Sequence, residues 1–282
     1  MQLKAWPEYG KNFPINRKNA PLLSSVMVHP VQSPAFQNTR GNRPLNRKMV
    51  FERYEYKYLM TRRQQEAVLA AMAPYMVADE YSHSSIRNLY LDTPGFRLIR
   101  RSLEKPVYKE KLRVRSYGRA AMGEEVFVEL KKKYRSVVYK RRLALPQEQA
   151  LACLAGEAPW PGTQIGGELA YAVGFYQDLA PAVFLSYERD AYRGREDAEF
   201  RVTFDREIRY RRQAMTLDSD PWGSALLDPD QVLMELKVAG AMPLWMARTL
   251  SEQKIFQTSF SKYGSAYRQM LLEKQQEVRR YA

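Results

Sequence analysis

The sequence predicts an α+β fold: a closed antiparallel β-barrel of about eight strands forming a basic tunnel, with helices packed outside. Three observations predict it. Short runs rich in β-branched and aromatic residues follow one another with turn residues between them. Only a handful of helical stretches interrupt them. On several runs, residues two apart place apolar side chains on one face and basic ones on the other. External helices need an apolar strand face to pack on, which leaves the charged faces the interior. A lumen crowded with cations is unfavourable when empty, because each loses hydration, and becomes reasonable once a polyanion and water fill it.

The elements read as follows. Residues 1–48 carry six prolines, scattered basic residues and no sustained period, the composition of a disordered basic leader. The composition shifts at Met49, which is either the start of the tunnel domain (49–282) or the true start of the chain. Phe51–Leu59 reads as a strand. Thr61-Arg-Arg-Gln64 is a capping box opening a helix with Val68, Met72, Tyr75 and Met76 on one face. Ile86–Leu91 is a strand, after which Asp92 can cap a short helix with Pro94 in its first turn. Strands follow at Val107–Tyr117, Glu125–Lys133 and Val137–Ala144, then helices at Gln147–Leu154 and Glu168–Leu179. Three more strands cover Ala182–Tyr192, Phe200–Tyr210 and Val232–Val238. Pro243–Leu250 and Ala266–Arg279 read as helices, the latter with Tyr267, Met270, Leu271 and Lys274 along one side.

The charged faces are specific. Lys109, Lys111, Arg113 and Arg115 share one; Glu125, Phe127, Glu129 and Lys131 share another, opposite Val126, Val128 and Leu130. Glu235 and Lys237 lie opposite Met234, Leu236 and Val238. Tyr187 pairs in face with Arg189, Arg201 with Thr203 and Asp205, Glu55 with Lys57, and Lys140 with Arg142. For a single strand such a face is ordinarily solvated; its recurrence on at least five strands, with basic residues in the majority, places it inside. Arginine offers phosphate a planar fork and lysine a mobile point charge. The inward Glu55, Glu129 and Glu235 could each hold a divalent metal bridging phosphate oxygens or serve as charge partners for neighbouring lysines.

Composition agrees. Forty-five Lys and Arg against 31 Asp and Glu give a formal net charge of +14, which calls for a polyanionic partner. The single cysteine, Cys153, makes no intrachain disulfide and reads as a small core residue, with a reducing cytoplasm as the expected setting. No apolar run is long enough for a transmembrane helix, and no secretory signal opens the chain. His29 and His83 lie far apart, which supports neither a zinc site nor a catalytic triad, and neither a Walker loop nor a dinucleotide fingerprint occurs. Nucleic acid is not expected, since the aromatic residues sit where a core would want them rather than as stacking platforms.

Eight motifs in order carry a resemblance. They are Phe51-Glu-Arg-Tyr-Glu-Tyr-Lys-Tyr58, Asn88-Leu-Tyr-Leu-Asp-Thr-Pro94, Lys111-Leu-Arg-Val-Arg-Ser-Tyr-Gly118, Phe127-Val-Glu-Leu-Lys131, Ser186-Tyr-Glu-Arg189, Phe200-Arg-Val-Thr-Phe-Asp205, Met234-Glu-Leu-Lys237 and Phe260-Ser-Lys-Tyr263. Over Val50 to Leu272 the chain resembles the VTC domain of polyphosphate polymerases, within the triphosphate tunnel metalloenzyme (CYTH-like) superfamily. The resemblance implies Mg2+- or Mn2+-dependent transfer of the ATP γ-phosphate onto a growing polyphosphate chain, with ADP released. It implies Lys57, Arg113, Arg115, Lys131, Lys140, Arg189, Arg201, Lys237 and Lys262 as the catalytic, phosphate-holding cations. Tyr187 and Ser261 would add hydrogen bonds, and Glu235 matches the family's metal-binding glutamate; from the strand pattern alone, Glu55 is placed with the substrate contacts and Glu129 with the metal ligands. Where the superfamily often begins Glu-x-Glu-x-Lys, this chain has Arg53, giving Arg-Tyr-Glu-Tyr-Lys57, which agrees with the VTC branch and argues against thiamine-triphosphatase or adenylate-cyclase types. The eukaryotic members work beside membrane-spanning subunits; a membrane partner here is left open. Two alternatives stay open as well: a tunnel triphosphatase acting on inorganic triphosphate or nucleotides, and a non-catalytic polyphosphate or inositol-phosphate binding module.

Overall fold

The computed structural model describes residues 54–135 and 137–281, so the expectations for residues 1–48, Met49 and Phe51 lie outside the described residues. In chain order the elements are β1 (Tyr54–Thr61), α1 (Arg62–Met72), β2 (Met76–Asp92), α2 (Arg97–Leu103), β3 (Tyr108–Tyr117), β4 (Glu125–Tyr134), β5 (Val137–Pro146), α3 (Gln147–Ala155), α4 (Gln164–Tyr176), β6 (Ala180–Gly194), β7 (Arg201–Arg211), β8 (Ser224–Ala225), β9 (Gln231–Val238), α5 (Leu244–Glu252) and α6 (Lys262–Tyr281). One antiparallel sheet runs β1-β9-β7-β6-β2-β3-β4-β5, with the two-residue β8 added to β7.

The sheet is curved but hydrogen bonds do not close it, which corrects the expectation of a closed barrel. The curvature shows in side chains: Lys131 on β4 reaches Glu55 on β1 at 3.9 Å, although five strands lie between β1 and β4 in the sheet order. Closure fails for a local reason. The free edge of β1 is taken by the segment before α6, where Thr258 N donates to Lys57 O at 2.7 Å and Tyr58 bridges Gln257. That segment occupies the backbone groups β5 would need.

Two apolar layers cover the convex face. Val68 and Met72 of α1 and Met246 and Leu250 of α5 pack on Tyr58, Met60, Val202, Phe204, Met234 and Leu236. On the other wing, Ala150 and Leu154 of α3 and Leu169 and Ala172 of α4 pack on Leu112, Val114, Val126, Val128 and Leu130. Each fully buried aliphatic side chain stabilises by roughly 1.5–3 kcal/mol, so the strand parity that turns charges inward is held by the sum of these contacts. The expectation that helices lie outside holds for these four. It fails for α2 and α6: Ile99, Tyr263, Ala266 and Tyr267 pack on Ile86, Tyr90, Val183, Leu185, Tyr187, Ile208 and Leu233, filling one end of the concave face with an apolar plug.

Element boundaries follow local chemistry. Thr61 caps α1 through a reciprocal capping box with Gln64, but the helix ends at Met72 and Met76 opens β2 while staying buried in the same core layer. Asp92 caps α2 at a distance, accepting from Leu98 N at 2.9 Å and Ile99 N at 3.0 Å, so Pro94 sits in the preceding turn rather than in the helix. Helix α4 starts four residues earlier than its apolar period suggests. Its Gly166 is required there, because a Cβ would sit 2.1 Å from Pro161 O. Cys153 is buried as expected, 3.2 Å from Pro159 O. Among the described residues no helix is long and apolar enough to cross a membrane.

Candidate functional site: a cation-lined cradle

The strand register assembles the predicted residues into two wings of one concave surface. On the first wing β1 and β9 set charges crosswise, Glu55 opposite Lys237 and Lys57 opposite Glu235. Glu235 Oε1 lies 2.8 Å from Lys237 Nζ and its Oε2 3.8 Å from Lys57 Nζ. Burial pushes Glu235 up, but Lys237, Lys57, Lys262 and Arg189 outweigh it and hold the carboxyl well below the ordinary range. Burial lowers Lys57, which Glu235 and Glu55 more than offset, so it stays charged. Next along, Arg189 grips Asp205 with two bonds of 2.6 and 2.7 Å, and Lys262 pairs with the same carboxylate. Lys262 also lies over the Tyr187 ring, 4.4 Å from its centroid.

The second wing is β2 to β5. Arg115 donates to Asn88 Oδ1 at 2.9 Å and to Tyr187 Oη at 3.1 Å; Arg113 donates to Tyr90 Oη at 3.0 Å. Glu129 is enclosed by cations. Arg113 takes Oε2 at 2.6 Å, while Arg142 and Lys140 take Oε1 at 2.6 and 2.9 Å. Burial raises its pKa, but Arg113, Arg115 and Lys140 dominate and keep it ionised.

Beyond Glu129 the surface turns purely basic. Lys111, Lys131 and Lys140 stand directly opposite one another on β3, β4 and β5, and Lys109 stands opposite Lys133. Like charges placed so are unfavourable. Among the described residues, Lys109, Lys111 and Lys133 form no ion pair, and Lys131 meets only Glu55. Lys111 Nζ instead donates to Ser261 Oγ at 2.8 Å, and that hydroxyl also accepts from Gly264 N at the start of α6. Burial lowers Lys111 to about 8, and Tyr90 is also brought to about 8: burial raises it, but Arg113, Lys111 and Arg115 outweigh that.

The structure thus gathers Lys57, Arg113, Arg115, Lys131, Lys140, Arg189, Lys237 and Lys262 with Tyr187, Ser261 and Glu55. Arg201 stands at the rim, half exposed and 3.9 Å from Asp79. Of the two metal candidates, Glu129 has both oxygens spent on cations, and its geometry is that of a charge partner. Among the described residues no group of three or more His, Cys, Asp or Glu is gathered for a metal. Glu235 and Glu55, which both reach Lys57, are the pair of carboxylates whose oxygens would suit a hard cation. Sequence reasoning put Lys111, Arg142 and Asp205 on inward charged faces without giving them a role in the site, and it missed Tyr90. The first three were legible from strand parity; Tyr90 sits in an apolar run, Leu-Tyr-Leu, that gave no signal.

A curved antiparallel sheet with a concave cationic face and carboxylates in the minority defines the class of structure as a cation-lined cradle. The VTC domain family profile matches residues 52–271, and the chain belongs to that family. No curated protein matches. Among solved structures the chain is similar to a protein provisionally named an adenylate cyclase from Bacillus halodurans, at 15% identity and TM-score 0.46, covering 73% of this chain and 92% of that one. It is also similar to a protein from Hippeastrum, provisionally named an adenylyl cyclase and described as having a dominant triphosphatase activity. That match has 16% identity and TM-score 0.45, covering 74% of this chain and 92% of that one.

Proposed function

We propose that the chain is a polyphosphate polymerase, transferring the γ-phosphate of ATP onto the end of an inorganic polyphosphate chain held in the cradle. The observation that carries the reading is the row of lysines on β3, β4 and β5, in which Lys109, Lys111 and Lys133 form no ion pair among the described residues, Lys131 meets Glu55 only at 3.9 Å, and Lys140 shares Glu129 with two arginines. A linear polyanion supplies evenly spaced negative charge along such a row, which a single nucleotide does not.

The terminal oxygen of the polyphosphate chain attacks the γ-phosphorus, and the bond from that phosphorus to the oxygen bridging the β-phosphate breaks. ADP leaves with the electron pair, and the chain is one phosphate longer. Phosphate oxygens with a pKa of ~6 are already ionised at neutral pH, so this nucleophile needs no base. Water would. The buried carboxylates Glu129 and Asp205 are committed to arginine and lysine, which favours phosphate over water as acceptor. Arg113, Arg115, Lys131 and Lys140 hold the chain, and Arg189, Lys237, Lys57 and Lys262 neutralise charge around the transferred group. Glu235 and Glu55 would hold Mg2+ or Mn2+, which would supply further neutralisation of phosphate charge.

Incubation of the purified chain with ATP and Mn2+, with products resolved on a polyphosphate gel beside an ADP assay, tests the reading. Long chains formed in step with ADP are expected. Free phosphate without chains would replace the polymerase by a triphosphatase, and tight triphosphate binding without turnover would replace it by a binding module.

A further inference from the structure

We propose that the end of the domain formed by the β4–β5 hairpin and the strand entry of β3 docks on an anionic membrane surface. Large apolar side chains cluster there in the open: Val107 is 63% exposed, Val137 53%, Val138 47%, Tyr139 45% and Tyr134 44%. They are neighbours by register. Tyr134 pairs with Val137, Lys133 with Val138 and Lys132 with Tyr139, while Tyr108 faces Tyr134 and Arg135 N donates to Val107 O at 3.0 Å.

The cluster is apolar on one face of the sheet and places Val138 among lysines on the other. By strand parity, Val138 shares the face of Lys133 and Lys140, whereas Tyr134, Val137 and Tyr139 lie on the opposite face. A hairpin end with one solvated face would alternate; this one exposes Val138 on the charged face as well. β5 is also the free edge of the sheet. Free edges are ordinarily protected by charge, and β5 follows that rule at Lys140, Arg141 and Arg142 but not at Val137, Val138 and Tyr139.

Charge selects the occupant. Residues 131–142 include seven Lys or Arg and not one acid. Five of them pair with carboxylates of other elements, Lys131 with Glu55, Lys132 and Arg141 with Glu168, and Lys140 and Arg142 with Glu129, while Lys133 and Arg135 at the hairpin end form no ion pair among the described residues. Lys105 and Lys109 join them across the β3 entry, and Arg135 lies over the Tyr134 ring at 5.4 Å. A second copy of the chain would bring two such ends together against their mutual repulsion. An anionic bilayer meets every feature at once. Valines enter the acyl boundary, tyrosines sit at headgroup depth, and lysine and arginine stems lie along them with their charges in the headgroup layer.

The test is flotation of the full chain with vesicles of phosphatidylcholine alone or with a third phosphatidylserine. Binding is expected to the anionic vesicles and to weaken with salt. The double variant Val137→Ser/Val138→Ser should lower the partition coefficient about tenfold, and Lys105→Ala/Arg135→Ala by a similar factor, with both variants melting as the parent does. Equal recovery with neutral and anionic vesicles, or parent-like binding by both variants, would overturn the proposal. Loss of vesicle binding on adding excess tripolyphosphate, with the valine variant unaffected, would also overturn it, because the cradle would then be reading headgroup phosphates. So would sedimentation showing self-association, abolished in the valine variant, without vesicle binding.

Discussion

Glu235 and Glu129 are both buried carboxylates surrounded by cations, yet their surroundings differ in kind. Glu129 meets two planar arginine forks and a lysine, so removing its charge would strand several cations at once. Glu235 meets two lysines, whose ammonium groups are mobile enough to yield to a metal or a phosphate. Glu235→Gln is therefore expected to cut metal-dependent ADP release by about a hundredfold or more. Tripolyphosphate affinity measured by calorimetry should be unchanged or slightly higher, since a negative charge has left a basic site; unchanged turnover would remove Glu235 from the metal site. Lys111 gives a pH signature. Burial lowers it to about 8, so its charge is present below that pH and lost above it. Tyr90, also near 8, becomes an anion over the same range. Both changes oppose a polyanion. Tripolyphosphate affinity should fall between pH 7 and pH 9, and Lys111→Arg, whose guanidinium stays charged, should flatten the fall. A parent-like slope in that variant would show that Lys111 does not face the ligand.

At the scale of elements, Asp92 ties the strand core to both helices of the plug. It accepts from Thr93 N, Leu98 N and Ile99 N, and Tyr263 Oη of α6 donates to it at 2.8 Å. Asp92→Ala leaves those donors without their acceptor, a cost of about 2–4 kcal/mol, or ~5–10 °C in melting temperature for a domain of this size. Thermal unfolding by circular dichroism checks it, and a parent-like melting point would mean the plug is held by apolar packing alone. The same elements show what a sequence can carry. Strand parity was legible because a period of two fixes both faces once Val126, Val128 and Leu130 demand a helix above them. The start of α4 was not, because two glycines in its first turn weaken the helical signal, while a close approach to Pro161 is what calls for Gly166. The polar stretch Ala-Asp-Glu-Tyr-Ser-His-Ser-Ser, residues 78–85, gave no strand signal either. It is strand only because β6 extends beside it, with a register shift between Ala78 and His83. The inward position of α6 was hidden for a like reason: its tyrosines and alanine form an ordinary apolar stripe, and only the partner they find says which side of the sheet they cover.

For the whole molecule, the open seam between β1 and β5 is what separates this structure from the barrel its pattern suggested. Hydrogen exchange should therefore show the amides of β5 exchanging faster than those of β2 and β6, which are paired on both sides. Equal protection across all strands would indicate a hydrogen-bonded seam. The seam is spanned by the side chains of Lys131 and Glu55 and flanked by the segment before α6 rather than by a strand-to-strand ladder. All of this rests on one claim, that the concave face holds a linear phosphate chain. The measurement that tests it most directly is tripolyphosphate affinity, by calorimetry, for Lys131→Ala/Lys140→Ala against a control that removes two exposed charges from the covering helices, Arg63→Ala/Arg248→Ala. The lysine variant should bind about tenfold or more weakly while the control binds as the parent does; equal affinities in the two variants would contradict the account.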